Sequence, residues 1–150
     1  MNSKLSIATF FILLSCHFSN AQENQQSNVT ITDSIYSKVL NEYREFYIKI
    51  PESYSINTTL NYPVAYVLDG DVMLPTATLV HSYYSGGFMP EMVLIGISNA
   101  KHRERDLTTS KVTTRHGMEY TQENGEADNF TQFIKTELIP YIEKTYPVTS

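Results

Sequence analysis

Two apolar runs constrain this chain more than any other feature. Residues 64–68, Val-Ala-Tyr-Val-Leu, and residues 92–97, Met-Val-Leu-Ile-Gly-Ile, are apolar throughout and show no alternation. Such runs are typical of strands that are buried on both faces. Between them, residues 73–85 place apolar side chains roughly on one helical face, with Pro75 in the first turn and two glycines as a stop. Strand, helix and strand in this order predict a βαβ unit with parallel strands.

The first run ends abruptly in Asp69-Gly70-Asp71, a turn with three possible interpretations. Ligands of open α/β sheets bind outside the carboxyl ends of the strands, so the two carboxylates could form a metal or phosphate site. Alternatively, the aspartates cap a helix and Gly70 supplies a turn with positive φ. In the third interpretation, Gly70 lets backbone N–H groups point into a cleft, where they could hold a developing oxyanion.

The rest of the chain predicts a half-exposed strand, a long polar segment and a helix. Residues 43–50 alternate between apolar and polar positions, as in an antiparallel strand or one near a sheet edge. Residues 98–125 are polar and longer than an ordinary connection, which indicates a functional loop or a partly ordered insertion. From Glu126, apolar residues recur at helical spacing, and Pro140 predicts a kink. The strand that should follow this helix is expected to begin just beyond Ser150.

The amino terminus predicts export. Residues 5–14 form a short apolar run, and small residues precede a cleavage site after Ala21, so we expect a signal peptide over residues 1–21. Processing as a lipoprotein at Cys16 is a second possibility. Residues 22–40 are expected to form a mobile leader, and residues 41–150 the folded part. No second apolar run is long enough to span a membrane, so we expect a periplasmic or secreted protein without a stable span.

Charge and cysteine content exclude several classes of function. The formal net charge is −5 and basic residues are not clustered, which argues against a nucleic-acid partner. Cys16 is the only cysteine and lies inside the predicted signal peptide. A mature chain without a thiol has no cysteine nucleophile and no thiolate metal site.

Residues 96–100, Gly-Ile-Ser-Asn-Ala, nearly match the Gly-x-Ser-x-Gly nucleophile elbow. The fifth position is Ala100 instead of glycine, and residues 101–106 show no apolar stripe of the helix that an elbow requires. We therefore interpret Ser98 as a polar residue at the end of a strand.

The histidines and the charged loop give weaker signals. His81, His102 and His116 could each act as a general base, but none has an evident partner in sequence, and no spacing supports a metal site. Arg103, Arg105 and Asp106 lie in a loop that could offer guanidinium groups to an acidic substrate. From composition alone, a solvated loop with local ion pairs is the favoured interpretation.

Three stretches together resemble a known family. They are "YPVAYVLDGD", "MPEMVLIGISNAKHRERDLT" and "EADNFTQFIKTELIPYIEKTY". In this order and spacing they are similar to the amino-terminal half of the putative-esterase branch of the α/β-hydrolases, which includes esterase D-like enzymes and the ferric enterobactin esterase type. The resemblance covers roughly residues 40–147. It implies an α/β fold with an incomplete α/β-hydrolase-type sheet of parallel strands and covering helices, truncated before the nucleophile elbow.

The resemblance implies a serine esterase that hydrolyses carboxylic esters through an acyl-enzyme. In this family the nucleophile follows the helix that here reads "IPYIEKTY", so the whole triad is expected beyond Ser150 and the chain as given is expected to be inactive. Gly70 and Asp71 match the segment that supplies an oxyanion-hole amide. Arg103, Arg105, Asp106 and Thr108 match a stretch near the active-site mouth, where they would either contact the substrate or scaffold the loop, and we expect Arg103, Arg105 and Asp106 to contact it. The expected partner is a small-molecule ester, with no cofactor and no metal.

Two other functions are compatible with the residues. A non-catalytic exported binding module would keep the scaffold without the triad. A phosphatase would use Asp69 and Asp71 to hold Mg²⁺, although the continuation Val72-Met73 differs from the Gly-Thr of haloacid-dehalogenase-type enzymes.

Overall fold

The computed structural model describes residues 30–51, 53–54 and 61–149. The predicted signal peptide over residues 1–21, the alternative lipid site at Cys16 and residues 22–29 of the predicted leader lie outside the described residues. Within the described part of the chain, no helix is both long and apolar enough to cross a membrane.

The described chain begins with an antiparallel hairpin. Strand β1 (Thr30–Ser37) pairs along its whole length with β2 (Glu42–Lys49). Residues 30–40, which were predicted to be part of a mobile leader, belong to this hairpin instead. β1 carries only two aliphatic side chains, Ile31 and Ile35, and both pack against the core. The strand predicted over residues 43–50 is confirmed as β2, and its antiparallel pairing is confirmed as well.

The central βαβ unit is confirmed. It consists of β3 (Tyr62–Val67), α1 (Gly70–Tyr84) and β4 (Val93–Ile97), and β3 and β4 run parallel. Helix α1 begins three residues before the predicted start at residue 73, so Pro75 lies in its second turn rather than its first. All five residues of β4 are buried, because helices cover both faces of the sheet there.

The five-stranded sheet is mixed, with the order β1-β2-β4-β3-β7, where β7 (Val148–Thr149) is the last strand. β2 runs antiparallel to β4, whereas β3 runs parallel to both β4 and β7. Leu74 of α1 packs on Gly96 on one face. The main core lies on the other face, where residues of β2 and β4 meet the carboxyl-terminal helices. This is the α/β-hydrolase-type arrangement that the sequence predicted, with antiparallel pairing at one side.

The polar segment of residues 98–125 is partly regular. It contains the short helix α2 (Arg103–Leu107) and a small hairpin of β5 (Thr114–Arg115) and β6 (Met118–Glu119). Helix α2 forms although residues 101–106 show no apolar stripe, because its buried face is formed by the charged side chains of Arg105 and Asp106. A charged buried face gives no apolar stripe in the sequence.

The predicted helix after Glu126 is present and interrupted ahead of Pro140. α3 (Ala127–Phe133) continues through a π-helical turn (Ile134–Leu138) into α4 (Ile139–Thr145). The wider turn accommodates the missing N–H and the ring of Pro140. β7 follows and pairs with Tyr62 and Pro63, so a strand begins already at Val148, whereas the next strand was expected just beyond Ser150. Val148 is buried in the core, which anchors this start.

Candidate active site

The turn between β3 and α1 depends on a left-handed aspartate. Asp69 is the N-cap residue of α1 with φ 51° and ψ 41°. Its carbonyl oxygen accepts hydrogen bonds from the N–H groups of Val72 and Met73, both at 2.9 Å. Its own N–H donates to the side-chain oxygen of Asn99 at 3.1 Å. The positive φ that the sequence analysis assigned to Gly70 thus belongs to Asp69.

Gly70 and Asp71 are the first two residues of α1, and their N–H groups are available. Among the described residues, none accepts a hydrogen bond from either N–H group. Free N–H groups at a helix N-terminus carry partial positive charge, and α1 is 15 residues long. The turn can therefore stabilise an anion, which fits the positions predicted as oxyanion donors.

Close packing explains why residue 70 is a glycine. A Cβ atom at Gly70 would lie 2.3 Å from the carbonyl carbon of Gly96 and 2.6 Å from the nitrogen of Ile97. Both are backbone atoms, so the clash could not be relieved by a side-chain rotation. Gly70 therefore fixes the start of α1 directly against the end of β4.

The Asp71 side chain fastens the same helix start to the loop after β4. Its Oδ1 atom lies 2.8 Å from the Ser98 hydroxyl and 3.0 Å from the Tyr47 hydroxyl. Its Oδ2 atom accepts the N–H groups of Asn99 and Ala100 at 3.0 and 3.2 Å. Burial raises the pKa of this carboxyl, but the hydrogen bonds outweigh that effect and lower its pKa below the usual value.

Neither carboxylate of the turn is free to hold a metal ion. Asp71 is occupied as described, and Asp69 forms a bidentate pair with Arg103, whose Nε and Nη2 atoms lie 3.0 Å from the Asp69 oxygens. In residues 30–51, 53–54 and 61–149 there is no group of three or more side chains suited to binding a metal. The arrangement therefore gives no support to the Mg²⁺-dependent phosphatase interpretation.

Arg105 and Asp106, both predicted to contact substrate, are buried in an ionic network. Asp106 is 1% exposed and accepts Arg44 at 2.7 Å, Arg105 at 3.0 Å and the Asn99 side-chain nitrogen at 3.0 Å. Arg105 also pairs with Glu42. The hydrogen bond that Arg105 donates to Glu42 is the main cause that raises the pKa of Arg105. These contacts favour a structural role for Arg105 and Asp106.

Arg103 differs from these two residues. Its side chain is 62% exposed and lies beside the turn, held by Asp69. Of the three residues predicted to contact substrate, Arg103 is the one whose side chain is open to solvent. Thr108, the fourth residue of the matched stretch, donates its hydroxyl to the Glu104 carbonyl oxygen at 2.6 Å and accepts the Gly125 N–H at 2.7 Å. Those bonds hold the segment together.

Sequence reasoning missed three residues of the network: Glu42, Arg44 and Asn99. Arg44 is 4% exposed and lies over the Phe130 ring, 5.3 Å from its centroid. The one available signal was its position on the apolar face of β2, where a charge requires a buried partner. A single buried asparagine such as Asn99 has no signature in a sequence.

Ser98 and the histidines do not come together in the described residues. The Ser98 hydroxyl donates to Asp71. His102 lies near Glu42 and Glu123, at 3.7 and 3.5 Å, and His81 accepts the Met92 N–H at 3.1 Å. His116 has φ 52° in the hairpin between β5 and β6. A nucleophile needs a base within hydrogen-bond reach, so this geometry agrees with the interpretation of Ser98 as a strand-end residue.

A groove borders the turn on the α1 side of the sheet. It has a volume of about 630 Å³ and extends between α1 and the β1–β2 hairpin. Gly70, Asp71 and Tyr47 line one part of it, and Lys49 and Glu91 line another. This volume is in the range of small-molecule sites.

Comparison with known proteins agrees with this architecture. The chain is 31% identical over 124 residues to ferri-bacillibactin esterase BesA of Bacillus subtilis (strain 168), covering 72% of this chain and 42% of that protein. Among solved structures, an IroE-like serine hydrolase from Shewanella oneidensis is 31% identical with a TM-score of 0.70, covering 80% of this chain and 40% of that one. The BES protein from Bacillus cereus is 26% identical with a TM-score of 0.65, covering 81% and 50%.

The chain therefore spans half or less of the length of these relatives. A family model described as "Putative esterase" matches residues 37–150. That match takes in the βαβ unit, the 69–71 turn, the buried ionic network and β7. Since it covers well over half of the chain, the protein belongs to this esterase family.

Proposed function

We propose that this chain is the amino-terminal part of an exported serine esterase that hydrolyses small-molecule carboxylic esters through an acyl-enzyme. The observation that carries the proposal is the pair of free N–H groups at Gly70 and Asp71, held at the carboxyl end of β3. In acyl transfer, preorganised backbone N–H groups stabilise the oxyanion of the tetrahedral intermediate. Family membership supports assigning them this role.

The sheet topology supports a position for the nucleophile. β7 runs parallel to β3, with Val148 paired to Tyr62 and Thr149 to Pro63. Neighbouring parallel strands rise by the same distance per residue. If this register continues, the residue near position 155 lies beside Asp69. We propose that the nucleophilic serine lies at the end of that strand, beside the free amides.

The proposed reaction proceeds in two steps. The serine Oγ attacks the ester carbonyl carbon, the electron pair of the C=O bond moves onto oxygen, and the N–H groups of Gly70 and Asp71 stabilise the negative charge. A histidine takes the serine proton. The electron pair then returns from the oxyanion to the C=O bond, the C–O bond to the alcohol breaks, and the histidine delivers the proton to the leaving alcohol, which leaves the acyl-enzyme. Water then attacks the acyl-enzyme, releasing the acid and restoring the serine. The chain to Thr149 supplies the oxyanion donors, and we place the triad beyond Ser150.

Siderophore esters are the first substrates to assay, because the Bacillus subtilis relative is named for ferri-bacillibactin. The exposed guanidinium of Arg103, anchored by Asp69, would offer a positive charge to an anionic substrate near the oxyanion site.

The test begins with the coding DNA after codon 150. A Gly-x-Ser-x-Gly sequence within the next strand length supports the proposal, and a stop codon with no such motif in any frame favours the binding module. The full-length product, meaning the product of the whole reading frame, is then assayed with a short-chain aryl ester. Activity from residues 22–150 alone would contradict the placement of the triad. Export is checked separately by sequencing the mature amino terminus, which we expect to begin at Gln22.

A further inference from the structure

Asn99 links the buried ionic network to the oxyanion turn. The residue is 1% exposed. Its side-chain oxygen accepts the Asp69 N–H at 3.1 Å, and its side-chain nitrogen donates to Asp106 at 3.0 Å. Its backbone N–H donates to Asp71 at 3.0 Å. One residue thus contacts both aspartates of the turn and the carboxylate at the centre of the network.

A carboxamide side chain meets both hydrogen-bonding requirements at position 99. The Asp69 N–H needs an acceptor and the Asp106 carboxylate needs a donor, and an amide side chain provides both in a single plane. An aspartate at position 99 would still accept from Asp69, but it would place a second carboxylate against Asp106. An aliphatic residue would leave the Asp69 N–H without its acceptor and would remove one of the donors to Asp106, which is unfavourable.

Asp106, which accepts the hydrogen bond from the Asn99 side-chain nitrogen, is itself held in place. Asp106 is gripped by the guanidinium groups of Arg44 and Arg105 at 2.7 and 3.0 Å. Arg44 additionally donates to the Ser98 carbonyl oxygen at 2.7 Å, which fixes the residue just before Asn99. The carboxamide therefore has little freedom to move, and the Asp69 N–H that it accepts has little freedom either.

The Asn99 side-chain oxygen binds the backbone of Asp69, which has a left-handed conformation. Asp69 has φ 51°, a left-handed conformation that is uncommon for non-glycine residues, although aspartate adopts it more readily than most. With its N–H tied to Asn99, Asp69 turns the chain so that the next two N–H groups have no acceptor in the described structure. If Asp69 relaxed, the N–H groups of Gly70 and Asp71 would change direction.

We propose that Asn99 is a positioning residue for the oxyanion hole. It joins the left-handed Asp69 to the Arg44–Asp106–Arg105 cluster and thereby fixes the direction of the Gly70 and Asp71 N–H groups. This inference rests on the proposed esterase function. Asn99 touches no substrate. It acts through Asp69 on the amides that stabilise charge only in the transition state, so its loss lowers kcat more than it raises KM.

Asn124 provides a matched control. It is also a buried asparagine, 5% exposed, and its side chain makes three hydrogen bonds to backbone atoms, with Val112 N–H at 2.6 Å, Val112 O at 3.0 Å and Gln122 O at 2.8 Å. Those bonds brace the segment around the β5–β6 hairpin and involve neither Asp69 nor Asp71. Asn99→Ala and Asn124→Ala therefore remove similar chemistry at different places.

The experiment measures kcat and KM of the full-length protein with an aryl ester, together with Tm. We expect Asn99→Ala to lower kcat by about 10- to 100-fold with KM changed by less than about threefold, in line with the loss of oxyanion stabilisation. Both variants lose buried hydrogen bonds, so we expect Asn124→Ala to lower Tm by about as much as Asn99→Ala does. The kcat of Asn124→Ala is expected to stay within about threefold of wild type. Equal losses of kcat in both variants would overturn the inference.

A second measurement separates this inference from the proposed function. Hydrogen exchange at the Asp69 amide of the full-length protein should be slow in wild type, at least tenfold faster in Asn99→Ala and unchanged in Asn124→Ala. If the wild type hydrolyses no ester, the proposed function fails while the exchange result still decides whether Asn99 holds the turn. Should Asn99→Ala not fold, Asn99→Ser is used, since a single hydroxyl cannot reach both partners. Unchanged exchange at Asp69 in the folded variant would refute the coupling.

Discussion

At the scale of single residues, two local features determine the conformation of the turn at residues 69–71. The left-handed Asp69 directs the chain, and the absence of a side chain at Gly70 lets α1 start against the backbone of Gly96. The aspartate carboxylates, which first suggest a metal site, serve as acceptors that hold neighbouring segments in place. The backbone of this turn is therefore its chemically available part.

Replacing Gly70 with alanine should destabilise the protein strongly. The new Cβ would lie 2.3 Å from a backbone carbon of Gly96, and overpacking against backbone is not relieved locally. We expect a loss of about 3 kcal/mol or more in the free energy of unfolding. The measurement is urea denaturation of the full-length protein.

Gly86→Ala is the matched control for that variant. A Cβ at Gly86 meets nothing within 4 Å. We expect its stability to stay level or rise by up to about 1 kcal/mol. Equal effects of the two substitutions would show that the close approach of α1 to β4 is wrong.

The Glu42 carboxylate should make stability depend on acidic pH. Burial raises its pKa, but the hydrogen bonds from Arg105 and Arg44 outweigh this and lower the pKa from its ordinary 4.5 to about 2. Because the folded-state pKa is depressed, the stabilisation is complete above pH 4.5 and is lost as the pH falls from 4.5 towards 2.

Comparison of wild type with Glu42→Gln isolates this contribution. Between pH 5 and pH 2, wild type should lose up to about 3 kcal/mol more unfolding free energy than the variant, as judged by denaturant titrations. Parallel stability curves for the two proteins would mean that Glu42 does not carry the stabilising charge.

At the scale of secondary-structure elements, sequence reasoning succeeded where apolar patterns were strong. β3, β4 and their connecting helix were predictable because both strands are continuously apolar. β1 was missed because it has only two aliphatic positions, and its register comes from pairing with β2 rather than from its own pattern. α2 was missed because its buried face carries Arg105 and Asp106.

The candidate site could be predicted only in part. The position of the turn could be predicted, because ligand sites lie at the carboxyl ends of parallel strands. Its partners could not, because Arg44 and Asn99 lie 25 and 30 residues from Asp69 and come close only in the folded sheet. Long-range polar contacts of this kind leave no periodic signal along a chain.

Helix α2 should depend on its buried ion pairs for attachment. Asp106→Ala would leave two guanidinium groups, Arg44 and Arg105, in a buried site without the carboxylate that now accepts their hydrogen bonds. Breaking one side of such a pair costs about 3–5 kcal/mol, so we expect a loss of that size in a denaturation experiment.

The exposed pair of Arg115 and Glu104 gives the comparison for that variant. These side chains are 55% and 38% exposed and lie 3.1 Å apart. Arg115→Ala should change stability by no more than about 1 kcal/mol. A loss in Asp106→Ala no larger than that in Arg115→Ala would contradict the structural role given to the network.

At the scale of the whole molecule, the described residues expose apolar surface and a sheet edge that is paired only in part. β7 runs along only the first two residues of β3. Helix α1 and the turn after it present large apolar side chains to solvent, with Val72, Tyr83 and Phe88 at 66%, 72% and 88% exposure. Apolar surface and sheet edges of this kind promote association.

We therefore expect residues 22–150, expressed alone, to self-associate, and the full-length protein to stay dispersed at the same concentration. Analytical ultracentrifugation of the two proteins checks this. A monomeric, cooperatively melting product from residues 22–150 would favour a self-sufficient binding module instead.

Labelling the full-length protein with a fluorophosphonate, which reacts with activated serines, and mapping the modified peptide by mass spectrometry locates the nucleophile. We predict one labelled serine at about position 155, on the strand that continues β7 beside Gly70 and Asp71. Replacing that serine with alanine should abolish both labelling and ester hydrolysis. Labelling of Ser98, or ester hydrolysis by a protein in which no serine beyond residue 150 is labelled, would contradict this prediction.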